Sequence, residues 1–366
     1  MKIEKLLLMT LVASCLITSC STDDGESNLP EMGADPLAYE NGTLVLNEGN
    51  FGAGNASVSF ISNDLTVIEN SIFTTVNGID AWGDTAQSMA FNGDVAYIVL
   101  NGSQKIEVVN RYTFESIASI GGPEQTDLLN PRYMAIANGK GYVTNWGDGT
   151  NPDDDFIAII NLETNTVEDK IEVEEGPERI LVKDNTIYVA LLGGYNFNNS
   201  IAIIDAASNT VVSSIEVADA PNSLQMDDEG YLWVLSGGKP AYTQDETAGQ
   251  LDKIDTANNM VVETFTMAAT EHPAYLSLDE DALYYSKAGS IFKMDVSSTA
   301  LPTEAVITGT SFYNLTVNDG KLYGADAKDF SSNGVLDIYD LSDYSLIASK
   351  EVGINPSAIY FNDSSE

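Results

Sequence analysis

Histidine is almost missing from this sequence; His272 stands alone. The two cysteines, Cys15 and Cys20, both lie at the extreme N-terminus. These two shortages exclude much chemistry. A zinc site needs a cluster of Cys or His ligands that this chain does not have. A Ser-His-Asp triad would have to use His272, whose place just before Pro273 in a connecting loop suits a structural or ligand-contacting role better. Beyond Cys20 no disulfide can form, so the folded part must be held by packed secondary structure. Basic residues are also scarce, 16 against 55 acidic ones, for a net charge of -39. That balance argues against nucleic acid, whose phosphates require Lys and Arg. It equally argues against docking on an anionic membrane through a basic face. Two readings of the acid excess stand: a solvated surface that resists aggregation, or an attractor for a cationic or metal-bearing ligand. No stretch sustains a 3.6-residue apolar period, so almost no helix is expected. The glycine-rich Gly49–Gly54 stretch is followed by neither Lys-Ser/Thr nor a helix and reads as a turn, not a phosphate loop.

The first forty residues read as a targeting device. Lys2 and Lys5 precede an apolar run, Leu6 to Ile17, too short to span a bilayer and typical of a signal peptide. Leu16-Ile17-Thr18-Ser19-Cys20 resembles the bacterial lipobox, which makes Cys20 the lipidated first residue of the mature protein. At roughly 0.8 kcal/mol per buried CH2, multiple acyl chains anchor such a protein essentially permanently. Ser21-Thr22-Asp23-Asp24 resembles an outer-membrane lipoprotein start and the acidic export tag of surface lipoproteins. Residues 20–41, rich in Asp, Glu, Gly, Pro and Ser, cannot bury enough apolar surface to offset their ordering entropy and read as a flexible tether. The organisation expected is therefore a leader over 1–19, a lipidated Cys20 with its tether to 41, and a folded domain from 42 to 366, exposed at the outer membrane.

That domain is a repeat. The stretch from Gly176 to Val217 contains four short runs rich in Val, Ile and Tyr: ERILVKD, TIYVALL, SIAIIDA and TVVSSIEV. They are divided by Asp184-Asn185, by GGYNFNN and by Ser208-Asn209, as strands and turns require. The same four-strand pattern returns over Gln87–Ile120, Pro131–Val173, Pro221–Met267, Pro273–Ile307 and Phe312–Val352. A period of roughly 40–48 residues with four strands each is the signature of a β-propeller. The first unit, from Gly42, has only three runs (GTLVLNEG, ASVSFIS, LTVIENSIF), and Pro356–Phe361 reads as a lone inner strand at the other end of the chain. The fold expected is all-β: a seven-bladed propeller with four-stranded blades, closed by the C-terminal strand completing the first blade, which also removes an open edge.

In such a ring the connections between second and third strands share one face with the blade-to-blade connections. Here those are the long ones, among them Glu48–Ala56, Trp146–Asp155, Gly193–Asn199, Gly237–Gln250 and Lys328–Gly334. Long loops on a rigid scaffold are where function concentrates. Candidate ligand contacts in or beside them are Trp82, Trp146, Tyr195, Phe197 and Tyr242, with Phe51 nearby. At the start of the inner strands stand Gln87, Arg132, Tyr133, Arg179, Asn222, Tyr275, Tyr313 and Asn314, which should rim one mouth of the central channel. The two arginines stand out in so acidic a chain. Aromatic faces with a few convergent donors suit a large, flat, amphipathic ligand, each ring stack adding roughly 0.5–1.5 kcal/mol beyond buried area. Asp148–Asp155 could supply oxygen ligands to Ca2+ but matches no EF-hand spacing, and a solvated acidic loop is the simpler reading. No catalytic constellation, metal or cofactor is expected from these residues.

The phrases LVLNEGNFGAGNASVS, DTAQSMAFNGDVAYIVLNGSQKIEVVN, VTNWG and PNSLQMDDEGYLWVLSGG resemble the YncE-like propellers of Bacteroidetes surface lipoproteins. Within that group they resemble the propellers that capture vitamin B12 and pass it to a TonB-dependent outer-membrane transporter. The resemblance runs from about Gly42 to the end. It implies a non-enzymatic, lipid-anchored protein that binds a corrinoid. A surface propeller whose face binds a protein or glycan, without a small ligand, is the alternative.

Overall fold

The computed structural model describes residues 38–125 and 127–363. The leader, Cys20 and most of the tether expected above lie outside the described residues. Seven antiparallel four-stranded sheets form the domain. Their inner strands are Ala86–Asn92, Pro131–Ala137, Pro177–Lys183, Pro221–Met226, Ala274–Asp279, Phe312–Asn318 and Pro356–Phe361. Each inner strand touches the next, and the last, Pro356–Phe361, touches Ala86–Asn92, so the ring closes around a central channel. The fold is the expected seven-bladed β-propeller, with almost no helix.

Closure is as expected too. Pro356–Phe361 pairs antiparallel with Gly42–Asn47, from Asn47 opposite Pro356 to Thr43 opposite Phe361. Beyond the pairing, the side chain of Asn362 is fully buried and acts as a latch. Its amide donates to the carbonyls of Tyr39 (2.6 Å) and Arg111 (2.8 Å), and its oxygen accepts from Arg111 Nε at 2.5 Å.

Burial follows strand position. The second and third strands of the fourth blade, Thr186–Leu191 and Ser200–Asp205, are buried almost throughout because neighbouring blades cover both faces. Its outer strand, Thr210–Glu216, is exposed except at Ile215. Apolar clusters fill each gap between blades, such as Tyr188, Ile201, Ile203, Leu232, Val234 and Ile254 between the fourth and fifth.

Two outer strands depart from expectation. The run LTVIENSIF was expected as one strand, but only Ile68–Glu69 pairs, and a short helix, Ile72–Asn77, follows. Ser71 adopts a left-handed conformation that ends the strand. The helical turn then buries Ile72 and Phe73 together against Phe60 and Trp82, which alternating strand geometry could not do. In the sixth blade TEAVI pairs only at Ile307–Thr308. Among the described residues, no helix is long and apolar enough to cross a membrane.

Candidate functional site at the channel mouth

Every inner strand carries the same irregularity near its start. The ladder slips by one residue between Ala86 and Ser88, Pro131 and Met134, Pro177 and Ile180, and Pro221 and Ser223. It slips again between Ala274 and Ser277, between Phe312 and Asn314, and in the closing strand opposite Leu46/Asn47. A bulge adds one residue to one strand and re-aims its side chains. Seven bulges at one level form a ring. The residues they carry include Gln87, Arg132, Tyr133, Glu178, Arg179, Asn222, Tyr275, Tyr313 and Ser357.

These residues line one cavity of about 180 Å3, together with Glu48. Thus all eight of the expected rim residues (Gln87, Arg132, Tyr133, Arg179, Asn222, Tyr275, Tyr313 and Asn314) meet at one place. Arg132 organises it. Its Nε and Nη2 donate to the two oxygens of Glu178 at 2.8 and 2.9 Å, and Nη1 donates to Gln87 Oε1 at 2.7 Å. Its guanidinium also lies 4.1 Å from the Trp146 ring centroid. Gln87 Nε2 continues the chain to the Tyr133 hydroxyl at 3.1 Å. A bidentate, charge-assisted pair of this kind fixes orientation as well as charge. Across the cavity the Tyr313 hydroxyl donates to Glu48 at 3.3 Å. Burial raises the Glu48 carboxyl above its ordinary value, with Tyr313 and Arg132 opposing. Burial likewise raises the phenols of Tyr133 and Tyr275.

The loop face surrounds this mouth. Registers such as Asn145 opposite Phe156 and Ser236 opposite Gln250 put the long second-to-third connections at the same end of the blades. Trp146 donates its indole N–H to the Pro177 carbonyl (3.1 Å) and meets Tyr195 edge-on. Tyr195 is 75% exposed, Tyr242 79% and Phe51 88%. Phe197 is half-buried in the loop it shares with Tyr195. Trp82 differs from its companions: it is buried, stacks on Phe73 with centroids 4.6 Å apart and lines a separate depression. His272 joins the Gly237 carbonyl to Glu246.

Sequence reasoning missed Glu48, Glu178 and Phe330, the last packed edge-on against Tyr313 at 5.4 Å. Glu178 carried a signal, since it occupies the strand position that Arg132 holds in the preceding blade. In the Asp148–Asp155 loop three of the four carboxylates bind the chain itself. Asp154 accepts from the Asp148 amide, Asp148 from Thr150, and Asp155 from the Gly176 amide. Among the described residues, no group of three or more Asp, Glu, His or Cys side chains is placed to hold a metal ion.

Residues 41–325 match the family described as Domain of unknown function (DUF5074). The chain belongs to that family. No curated protein matches this DUF5074 member. Solved structures share its fold at low identity. The Quinonprotein alcohol dehydrogenase-like protein from Bacteroides thetaiotaomicron is 14% identical with a TM-score of 0.64, the match covering 89% of this chain and 79% of that one. Hydrazine Synthase of Kuenenia stuttgartiensis is 16% identical at 0.58, covering 74% and 88%. Apo AztD from Citrobacter koseri is 11% identical at 0.52, covering 87% and 96%. At such identities these likenesses concern the fold of the DUF5074 propeller alone.

Proposed function

We propose that this chain is a non-enzymatic binding protein that captures a corrinoid on its loop face. In this reading Cys20 is lipidated and holds the protein at the outer membrane, surface-exposed, and the corrinoid passes to a TonB-dependent transporter. The supporting observation is the set of exposed aromatic rings, Phe51, Tyr195, Tyr242 and Phe330, carried by the long loops. A corrinoid is a large amphipathic ring with amide arms, which needs faces to stack on and donors to orient it. The sequence resemblance to vitamin B12-capturing propellers supports the same choice. The closed Arg132–Glu178 pair favours a binding role, because each partner already satisfies the other and neither is poised to move a proton.

Calorimetric titration of the protein with cyanocobalamin tests this. Binding with heat and a shifted corrinoid spectrum is expected, and Tyr195→Ala should weaken it about two- to twelve-fold, the worth of one ring stack. Absence of both heat and spectral change would sink the corrinoid reading. The alternative, a protein- or glycan-interaction propeller, uses the same exposed rings. It gains if outer-membrane proteins or sugars are retained by the wild type and lost with Tyr195→Ala while cyanocobalamin is inert.

A further inference from the structure

The channel contains hydrogen-bond donors with no acceptors among the described residues. The sequence has three arginines. Arg111 is spent on Asn362 and on the carbonyls of Gly93 and Asp363. Arg132 is spent on Glu178 and Gln87. Arg179 makes no hydrogen bond or ion pair with any described residue. Its guanidinium rests 4.1 Å from the Tyr133 ring centroid. It lines both the mouth cavity and a second cavity of about 350 Å3.

Three phenols around it have unspent protons. The Tyr133 hydroxyl accepts from Gln87, and the Tyr360 hydroxyl accepts from the Met89 amide at 2.8 Å, but neither donates to a described residue. The Tyr275 hydroxyl has no hydrogen-bond partner among the described residues. Tyr275 lines both cavities with Arg179, and its backbone is left-handed, with φ at 60°. A bulky aromatic residue rarely takes that conformation, and such strain concentrates at functional sites. The nearby carboxylates do not fill the gap. Both oxygens of Glu178 face Arg132, and Glu48 takes the Tyr313 hydroxyl.

We infer that Arg179, with Tyr133, Tyr275 and Tyr360, forms a channel site for the carboxylate of a small organic acid. A guanidinium fork matches a carboxylate oxygen for oxygen, and phenol protons complete its remaining lone pairs. The tyrosine rings give the acid's body an apolar wall, which favours an aromatic carboxylate over the more strongly hydrated inorganic phosphate. The site lies in the channel, goes beyond the corrinoid reading and does not depend on it.

Arginine Nε–H resonances of the full chain, read during titration with benzoate and separately with inorganic phosphate, test the site. With only three arginines the spectrum assigns itself by substitution. Benzoate should move, saturably, the resonance that Arg179→Met removes. The proposal is overturned if no arginine resonance moves, if the one that moves belongs to Arg111 or Arg132, or if phosphate acts at lower concentration than benzoate. Met keeps an apolar stem over Tyr133, so Arg179→Met should fold. Should it not, Arg179→Lys keeps the charge but loses the fork, and calorimetric titration of that variant with benzoate should give an affinity at least about tenfold weaker than the wild type's. Wild-type affinity in the lysine variant would also overturn the proposal. No corrinoid enters this measurement, so its failure and that of the corrinoid reading are separate results.

Discussion

Replacing Asn362 with alanine should weaken the whole ring. The side chain is fully buried and makes three hydrogen bonds: to the carbonyl of Tyr39, to the carbonyl of Arg111, and from Arg111 Nε. The backbone bonds of the same residue, to Gly42 and from Asn41, survive the substitution. A neutral buried hydrogen bond is worth about 1 kcal/mol net and one to a charged group about 1.5–3 kcal/mol, so the loss should be about 3–5 kcal/mol. Urea unfolding is the assay, read by circular dichroism and tryptophan fluorescence. The midpoint should fall with an unchanged slope, since the surface exposed on unfolding stays the same. Amides of the closing strand, 356–361, should also exchange faster in the variant while those of the fourth blade change less. Asn362→Asp keeps an acceptor for Arg111 but sets carboxylate oxygens against two carbonyls, so it should rescue little. A loss below about 1 kcal/mol for Asn362→Ala, less than one neutral bond, would refute the latch.

Other perturbations address the mouth and the loops. Glu178→Leu strands the Arg132 guanidinium and should cost about 3–5 kcal/mol, whereas the double variant Arg132→Met/Glu178→Leu should recover most of it; urea midpoints decide, and a double variant less stable than the single one counts against the pair. Burial pushes the Asp155 carboxyl up to about 6. Between its ordinary value and about 6 the folded chain holds a proton that the unfolded chain has released, so this group's contribution to stability is lost as pH rises through that window. Asp155→Asn should therefore gain about 1–3 kcal/mol relative to wild type on going from about pH 4 to about pH 7, and a difference independent of pH would refute the assignment.

The ring was legible because each blade repeats local signals. Apolar runs such as TIYVALL and SIAIIDA, separated by Asn, Asp and Gly, fix strand and turn without tertiary information. The missing strand of the first blade and the spare one at Pro356–Phe361 together fixed the closure. What could not be read depends on neighbours far away in sequence. Ile72 and Phe73 are strand-compatible, and only their shared burial beside Trp82 makes a helical turn the better solution. Trp82 and Tyr195 look alike as loop aromatics, yet one is sealed in the core and the other stands in solvent. The seven bulges leave no mark beyond the residues flanking them, so the pairing of Arg132 with Glu178 and the isolation of Arg179 needed the fold.

Pairing of the closing strand also sets which way the molecule faces. Asn47 meets Pro356 at the loop end of the first blade, and Thr43 meets Phe361 at the other. The described chain thus enters at Tyr39 and leaves near Asn362 on the side of the short turns, with the two ends in hydrogen-bond contact. A sensor surface coupled directly at Tyr39 or Asn362 would hold the propeller by its underside. The aromatic loops and the channel mouth would then point into free solution, open to a ligand or partner arriving from outside.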